Sequence, residues 1–218
     1  MIKLSFGGIL VLILSLCLPL FIYTYSLGLW ELFCLIDLSN IREASFAYSF
    51  VTASLLTFIF LSSDSFFSIL NHELTHNLWA VFSFSRPTSL EVKAGKGGNF
   101  AFKGRKNIMT VLSPYFFPLI TLFLFPLYFI ISNNYVQYYF IALGLSFGYS
   151  FATEIKQAHF SQPDLRVYGL LPSYLIILFF QVFIFGLLLS FVCDSGVLSF
   201  IIDPCKKAHE IILSFFDV

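Results

Sequence analysis

Long runs of residues without a charge constrain this chain more than any other feature. The first run covers residues 4–30, and a helix needs only about 20 apolar residues to cross a bilayer. Hydrophobic residues make up 58% of the chain and charged residues 11%, whereas about a quarter of a soluble domain is charged. The sequence therefore predicts an all-α polytopic membrane protein.

Further apolar runs predict about six transmembrane helices in total. The first run lacks a small-x-small cleavage site, so we interpret it as a retained helix rather than a cleaved signal peptide. The short polar residues 62–65 can turn the chain and cap a helix, and so separate the second helix from the third. The predicted helices are residues 4–30, 45–62, 65–84, 108–132, 135–153 and 169–193.

We expect residues 1–218 to form a single transmembrane domain with its functional core at 65–193. The tail, 194–218, contains a short amphipathic segment. Its charged face holds Lys206, Lys207 and Glu210, and its apolar face holds Ile211, Ile212, Phe215 and Phe216. This pattern is typical of a helix that lies on a membrane surface.

A polar stretch, residues 85–107, follows the third predicted helix. It begins near Pro87, which stops a helix. Two alternating runs, 90–93 and 99–102, flank the glycine-rich residues 95–98, a pattern that predicts a small β-hairpin. Two interpretations stay open: a plain exposed turn, or an edge strand that pairs with an unwound substrate.

The distribution of charge predicts how the helices are oriented. The formal net charge is zero, which gives no indication of a nucleic-acid partner. With six helices, both termini share one side with Lys3, Lys206 and Lys207. The other side holds Arg42, Arg86, Lys93, Lys96, Lys103, Arg105, Lys106, Lys156 and Arg166. The positive-inside bias places this second side in the cytosol.

The third predicted helix carries the motif His72-Glu73-Leu74-Thr75-His76. Its two histidines lie one helical turn apart on the same face, so their imidazoles can share one metal ion. Glu73 lies beside the first histidine, where a carboxylate can take a proton from metal-bound water. The H-E-x-x-H spacing is typical of zinc hydrolases. The alternative interpretation is a structural polar contact between helices.

A catalytic zinc site usually has three protein ligands and an open position. The sequence offers few candidates for the third ligand, because charges are scarce. Three residues lie beyond two further predicted helices, near the same membrane face: Glu154, His159 and Asp164. On position alone, all three stay open.

Several of these features together resemble the site-2 protease family of intramembrane zinc metalloproteases. The motif lies in a membrane helix, a glycine-bearing hairpin follows it, and the proline-containing segment 112–118 begins the next helix. An aspartate preceded by proline then stands at Asp164. The family usually has glycine after this aspartate, where this chain has Leu165. The similarity is to a divergent bacterial-type branch and covers about residues 65–168.

The resemblance implies a Zn²⁺ cofactor held by His72, His76 and Asp164, with Glu73 as the general base. It further implies hydrolysis of peptide bonds in membrane-embedded protein substrates. Together with the charge bias, it predicts a multi-pass protein of a bacterial inner membrane whose active site opens to the cytoplasm. The expected partners are a transmembrane substrate and the lipid bilayer, and a regulatory membrane partner is left open.

Two other functions remain as alternatives for a metal-binding membrane protein. In a metal transporter, further acidic or histidine residues are expected in other membrane helices, and the first, second and last predicted helices contain none. In a non-catalytic protein with a relic site, the ligands remain but no peptide bond is cut. The four cysteines stand far apart without a C-x-x-C pair, so they indicate neither a zinc knuckle nor a disulfide framework.

Overall fold

The computed structural model describes residues 6–93, 97–104 and 106–215. They form mainly helices, with one small antiparallel sheet. The longer helices are α1 (Phe6–Leu35), α2 (Ile41–Phe60), α3 (Phe66–Phe82), α6 (Val136–Gln157), α8 (Leu170–Val192) and α9 (Val197–Ser214). The short elements are β1 (Arg86–Lys93), β2 (Gly97–Lys103), α4 (Ile108–Leu112), α5 (Leu119–Leu124) and α7 (Pro163–Val167), with 3-10 turns at Ser113–Tyr115, Phe125–Phe129 and Asn133–Tyr135.

The helices confirm the membrane character of the chain but do not establish the predicted number of six spans. Among the described residues, three helices are long and apolar enough to cross a bilayer: Ile13–Leu35, Ile41–Phe60 and Leu170–Val192. The number of candidate spans rises to four if the bent pair Ile108–Tyr115 and Leu119–Phe129 is counted as one broken span. The motif helix α3 has only 17 residues.

Prolines explain why residues 108–132 do not form one straight helix. The two halves of this region are bent by 93°. Pro114 lies in the first turn of the 3-10 segment after α4, and Pro118 is the N-cap of α5. Proline lacks the backbone N–H and clashes with the preceding turn, so two prolines this close together favour a break in the helix. The result is either a broken span or a re-entrant segment.

The chain divides into two compact units, each described here by itself. One comprises the described residues of Met1–Glu43 and Tyr168–Val218, and the other comprises Ala44–Val167. In the first unit, α1 packs against α8 and α9. Tyr25 lies at its centre, where its hydroxyl donates a hydrogen bond of 2.8 Å to the Ile201 carbonyl. Aromatic rings surround it edge-on: Phe179, Phe183 and Phe200.

Helix α9 is amphipathic, as the tail sequence predicted. It buries Phe200, Pro204 and Ala208 and exposes its charged side chains. The apolar residues Ile212 and Phe215 are also exposed, at 44% and 77%. The helix therefore has an exposed apolar surface in addition to the one that packs within its unit, as a helix at a membrane surface needs.

In the second unit, α2 and α6 approach each other through a small residue. A Cβ built at Gly144 of α6 would lie 2.5 Å from the Phe46 carbonyl oxygen of α2. No side chain fits in that space, so glycine permits the close approach, as small residues do between membrane helices. Lys156 of α6 then donates hydrogen bonds to the carbonyls of Thr57, Phe58 and Leu61 at the end of α2.

The predicted β-hairpin is present directly after α3. Its strands pair antiparallel, from Arg86 opposite Lys103 to Lys93 opposite Gly97. The register shifts between Pro87 and Ser89, which fits a proline that cannot donate to the ladder. Residues 94–96, at the predicted glycine-rich turn, lie outside the described part of the chain. Both strands contact α3, so the hairpin covers the motif helix.

Candidate metal centre

The motif histidines lie side by side on α3, as the helical spacing predicts. Ser65 caps this helix by accepting a hydrogen bond from the Ser68 backbone N–H at 3.3 Å. The preceding residues turn tightly, since the Ser65 N–H bonds to the Ser62 carbonyl at 3.1 Å. The rings of His72 and His76 have centroids 4.9 Å apart, and both residues are buried.

Asp164, in the first turn of α7, lies close to both histidines and forms a cluster with them. Its Oδ2 lies 3.5 Å from Nε2 of His76 and 3.9 Å from Nε2 of His72. Candidate ligand atoms of all three residues lie within 4.8 Å of one another. Ligands bound to one tetrahedral zinc at 2.0–2.2 Å lie about 3.4 Å from each other. The three side chains could therefore hold one metal ion with small adjustments.

Each of the three side chains has a hydrogen-bond partner outside the cluster. Nδ1 of His72 lies 3.1 Å from Oε1 of Gln157, and Nδ1 of His76 lies 2.7 Å from the Thr110 carbonyl oxygen. The Tyr115 hydroxyl donates to Oδ2 of Asp164 at 3.3 Å. Such partners fix the ring orientation and tautomer of a ligand. In both histidines, Nε2 is the nitrogen nearer Asp164.

The Thr110 carbonyl is held in place by a helix cap. Asn107 and Thr110 form a reciprocal capping box at the start of α4, with the Asn107 side chain accepting from the Thr110 N–H at 2.7 Å. The Thr110 hydroxyl in turn accepts from the Asn107 N–H at 2.9 Å. A fixed carbonyl at this position can only accept a hydrogen bond, so His76 carries its proton on Nδ1. Nε2, which lies 3.5 Å from Oδ2 of Asp164, is then the ring nitrogen of His76 that could bind a metal.

The electrostatics of Asp164 suit a metal ligand. Burial acts to raise the pKa of its carboxyl, but His72 and His76, when their rings are protonated, donate hydrogen bonds to it and attract it, and so hold the pKa well below its usual range. A bound cation would take the place of the two Nε2 protons and favour the ionised carboxylate in the same way. The carboxylate is therefore ionised at neutral pH. This is the form in which a carboxyl binds a metal ion.

Glu73 faces the same cavity as the cluster. The cavity has a volume of about 540 Å³. Its walls include His72, Glu73, His76, Asp164, Gln157, Thr110, the hairpin residues Gly98, Ala101 and Phe102, and the charged residues Asp64 and Lys106. Glu73 is only 7% exposed, so its carboxyl group is a buried side chain in the wall of this partly polar cavity.

The other two candidate ligands lie outside the cluster. Glu154 is buried in α6, and its Oε1 has no hydrogen-bond partner among the described residues. His159 is exposed, and its ring nitrogens bond to Ser161 at 2.6 Å and to Gln162 at 3.0 Å. Within the described part of the chain, His72, His76 and Asp164 are the only group of three such residues close enough to share an ion.

Sequence reasoning did not identify the outer partners of the cluster. Gln157 follows an apolar run, and a polar side chain at the end of a helix does not by itself indicate a contact with a metal ligand. Tyr115 stands in the proline-containing segment that carried the resemblance, but its hydroxyl has no sequence pattern of its own. Thr110 acts through its backbone carbonyl, which no sequence pattern marks.

The cluster of His72, His76 and Asp164 could hold a metal ion, and Glu73 lies at the same cavity. No protein-family model, curated protein or solved structure matches the chain. The resemblance to site-2 proteases therefore stays a prediction from the sequence, based on the motif, the hairpin, the proline-containing segment and the proline-preceded aspartate.

Proposed function

We propose that this protein is an intramembrane zinc metalloprotease of the site-2 protease kind, which hydrolyses peptide bonds of transmembrane protein substrates. One observation carries the proposal. Two histidine Nε2 atoms and an aspartate oxygen converge at one cavity that also contains Glu73, in a chain with three or four candidate membrane spans.

His72, His76 and Asp164 would hold the zinc ion. When bound, the ion supplies an activated water and polarises the peptide carbonyl. Glu73 takes a proton at its carboxylate during the attack and later donates one to the leaving amine. Residues of α3, the hairpin and α7 line the cavity, so in this proposal the proton transfers take place among protein side chains.

The hairpin supports a role in handling substrate. Peptide bonds in a transmembrane helix are hydrogen-bonded and hidden, so a substrate must unwind before it is cut. Strands β1 and β2 form a two-stranded sheet beside the cavity. A sheet edge binds an extended segment through backbone hydrogen bonds. In this proposal the hairpin holds the unwound substrate next to Glu73.

The finer topology belongs to the same proposal. Six spans result if α3 and α6 each cross the bilayer together with the three apolar helices and the bent α4–α5 region. The positive-inside bias then places the hairpin in the cytosol of a bacterial cell. The cavity contains the charged residues Asp64 and Lys106, which suit a water path from that side.

The test compares zinc content and cleavage in matched variants. Purified wild type and Glu73→Gln are assayed for bound zinc and for cleavage of a transmembrane model substrate in vesicles. Loss of a general base costs about 10²- to 10⁴-fold in rate, so we expect Glu73→Gln to retain zinc and lose cleavage by that factor.

Glu210→Gln is the matched control, because it makes the same chemical change on an exposed residue of α9. It should cleave like wild type. Equal cleavage by Glu73→Gln and wild type would reject Glu73 as the base. Zinc without any cleavage by wild type would favour the non-catalytic metal-binding alternative.

A further inference from the structure

Gln157 connects the end of α6 to the motif helix. It is the last residue of α6 and is only 6% exposed. Its Oε1 lies 3.1 Å from Nδ1 of His72, and its Nε2 donates to the Ser68 carbonyl at 3.1 Å and to the Ser68 hydroxyl at 2.9 Å. The three hydrogen bonds of this buried amide thus all go to two residues of α3.

The contacts with Ser68 determine which way the amide faces. A carbonyl oxygen can only accept hydrogen bonds, so the NH₂ group of Gln157 must point at Ser68. The amide oxygen then points at His72. With the opposite orientation, two oxygens would face each other without a proton between them. The hydrogen-bond network therefore selects one orientation of Gln157.

That orientation determines the tautomer of His72. An amide oxygen accepts, so Nδ1 of His72 must carry the proton and donate it. Nε2 then keeps its lone pair, and this atom lies 3.9 Å from Oδ2 of Asp164. The result is the same as in His76, where the Thr110 carbonyl imposes a proton on Nδ1.

We propose that Gln157 is a positioning residue for the metal site: it fixes the tautomer and ring orientation of His72 and thereby raises the affinity for the ion. The proposal rests on the metal site of the proposed function. The partner of His76 is a backbone carbonyl, which no substitution removes, whereas Gln157 acts through a side chain. Substitution of Gln157 therefore measures directly how much the hydrogen-bond partner of a ligand contributes to metal affinity.

Ser68 makes the arrangement rigid. It lies one helical turn before His72 on the same face of α3, and it is 1% exposed. Gln157 therefore bonds to two successive turns of one helix. Because Ser68 holds its amide in place, the amide cannot move with the His72 ring if that ring rotates. Without Gln157, the ring loses its acceptor, and the tautomer with the proton on Nε2, which cannot bind a metal there, becomes accessible.

The experiment measures Zn²⁺ affinity by competition with a chromophoric chelator, and the visible absorption of bound Co²⁺ as a report on ligand geometry. The variants are Gln157→Leu, which removes both amide functions, and Gln157→Glu, which keeps an oxygen acceptor toward His72. Gln137→Leu is the matched control, since it makes the same change on an exposed residue at the other end of α6. Circular dichroism of the metal-free proteins verifies that each variant is folded.

Loss of an outer partner typically weakens metal binding by about 10- to 100-fold, and we expect this for Gln157→Leu together with an altered Co²⁺ spectrum. Gln157→Glu should retain most of the affinity, and Gln137→Leu all of it. Wild-type affinity in folded Gln157→Leu would overturn the positioning role and leave the metal site intact.

Three further outcomes are decisive. Equal losses in Gln157→Leu and Gln157→Glu would show that the acceptor is not what matters, and would overturn the proposal. If Gln157→Leu does not fold, Gln157→Met, which also lacks both amide functions, takes its place, and wild-type affinity in that variant overturns the proposal. Wild type that binds neither ion would instead overturn the proposed function itself.

Discussion

Gly98 of the hairpin lies directly against the carboxylate of Glu73. A Cβ built at Gly98 would lie 2.5 Å from Cγ and 2.7 Å from Cδ of Glu73, and closer still to Oε1. Real Cβ atoms do not approach other atoms so closely. Glycine at this position therefore lets β2 cover the proposed general base while leaving its carboxylate in the cavity.

We predict that Gly98→Ala lowers cleavage without unfolding the protein. The atoms that a methyl group would meet belong to the end of a flexible side chain, so Glu73 moves and the fold does not. A displaced base loses much of its contribution of about 10²- to 10⁴-fold, so we expect a loss of at least 10-fold. Zinc content should stay at the wild-type level, and both are measured on the same preparation.

Gly28→Ala is the control for Gly98→Ala. A Cβ at Gly28 in α1 would meet Phe200 and Pro204 at 3.4 Å, which is an ordinary contact. This variant should cleave like wild type. Full activity in Gly98→Ala would mean that the position of Glu73 against β2 has no catalytic consequence.

A second prediction concerns the third ligand. Asp164→Asn keeps the shape of the side chain but removes the charge that attracts a cation, so we expect bound zinc to fall to background. Glu154→Gln makes the same change in a carboxyl that lies outside the cluster, and it should keep its zinc. Metal content after dialysis, measured by atomic emission, distinguishes the two. The reverse pattern would assign the ligand to Glu154.

The local part of the site was predictable from the sequence. A helix repeats every 3.6 residues, so the spacing of His72 and His76 places both rings on one face once α3 is a helix. The polar turn before α3 and the hairpin after it were marked by short polar residues and by glycines. Each of these features depends only on residues near one another in the chain.

The long-range part was only partly predictable. Spacing along the chain did not distinguish Glu154, His159 and Asp164 as the third ligand, because their distance from His76 depends on how the segments between α3 and α7 fold. Only the resemblance favoured Asp164. The outer partner Gln157 meets His72 only through the packing of α6 on α3. The number of spans also depends on the fold: apolar runs predicted six, whereas three or four helices among the described residues are long and apolar enough, and α3 has 17 residues.

A third prediction uses the metal as a stabilising ligand. An ion that binds only the folded protein stabilises it by about 2.7 kcal/mol when its free concentration is 100 times the dissociation constant. Adding Zn²⁺ to chelator-treated wild type should therefore raise the temperature of thermal unfolding. His76→Ala should show no such rise, because it lacks one of the three ligands.

His159→Ala is the control for this measurement. His159 is exposed and was a candidate ligand on sequence position, but it bonds only to neighbouring residues of its own loop in the described structure. It should respond to Zn²⁺ like wild type. A rise of equal size in His76→Ala would indicate that Zn²⁺ stabilises the protein at another site.

The last prediction concerns Lys156, which holds α6 to the end of α2. Its ammonium donates to the Thr57 carbonyl at 3.1 Å and to the Phe58 carbonyl at 2.9 Å, and it also contacts the Leu61 carbonyl. The last carbonyls of a helix have no partner within the helix. A cation satisfies them and also interacts favourably with the helix dipole.

Lys156→Met keeps the length of the side chain but removes the ammonium donor from these carbonyls, of which the Thr57 carbonyl keeps its bond from the Leu61 N–H at 3.1 Å. Hydrogen bonds to charged groups contribute about 1.5–3 kcal/mol, so we expect a loss of about 2 kcal/mol in the free energy of unfolding. Lys206→Met is the control, because Lys206 is 68% exposed and pairs with Asp203 on the surface of α9. Such a pair contributes at most about 1 kcal/mol. Equal stability of the two variants in denaturant titrations would show that the capping of α2 by Lys156 contributes nothing measurable.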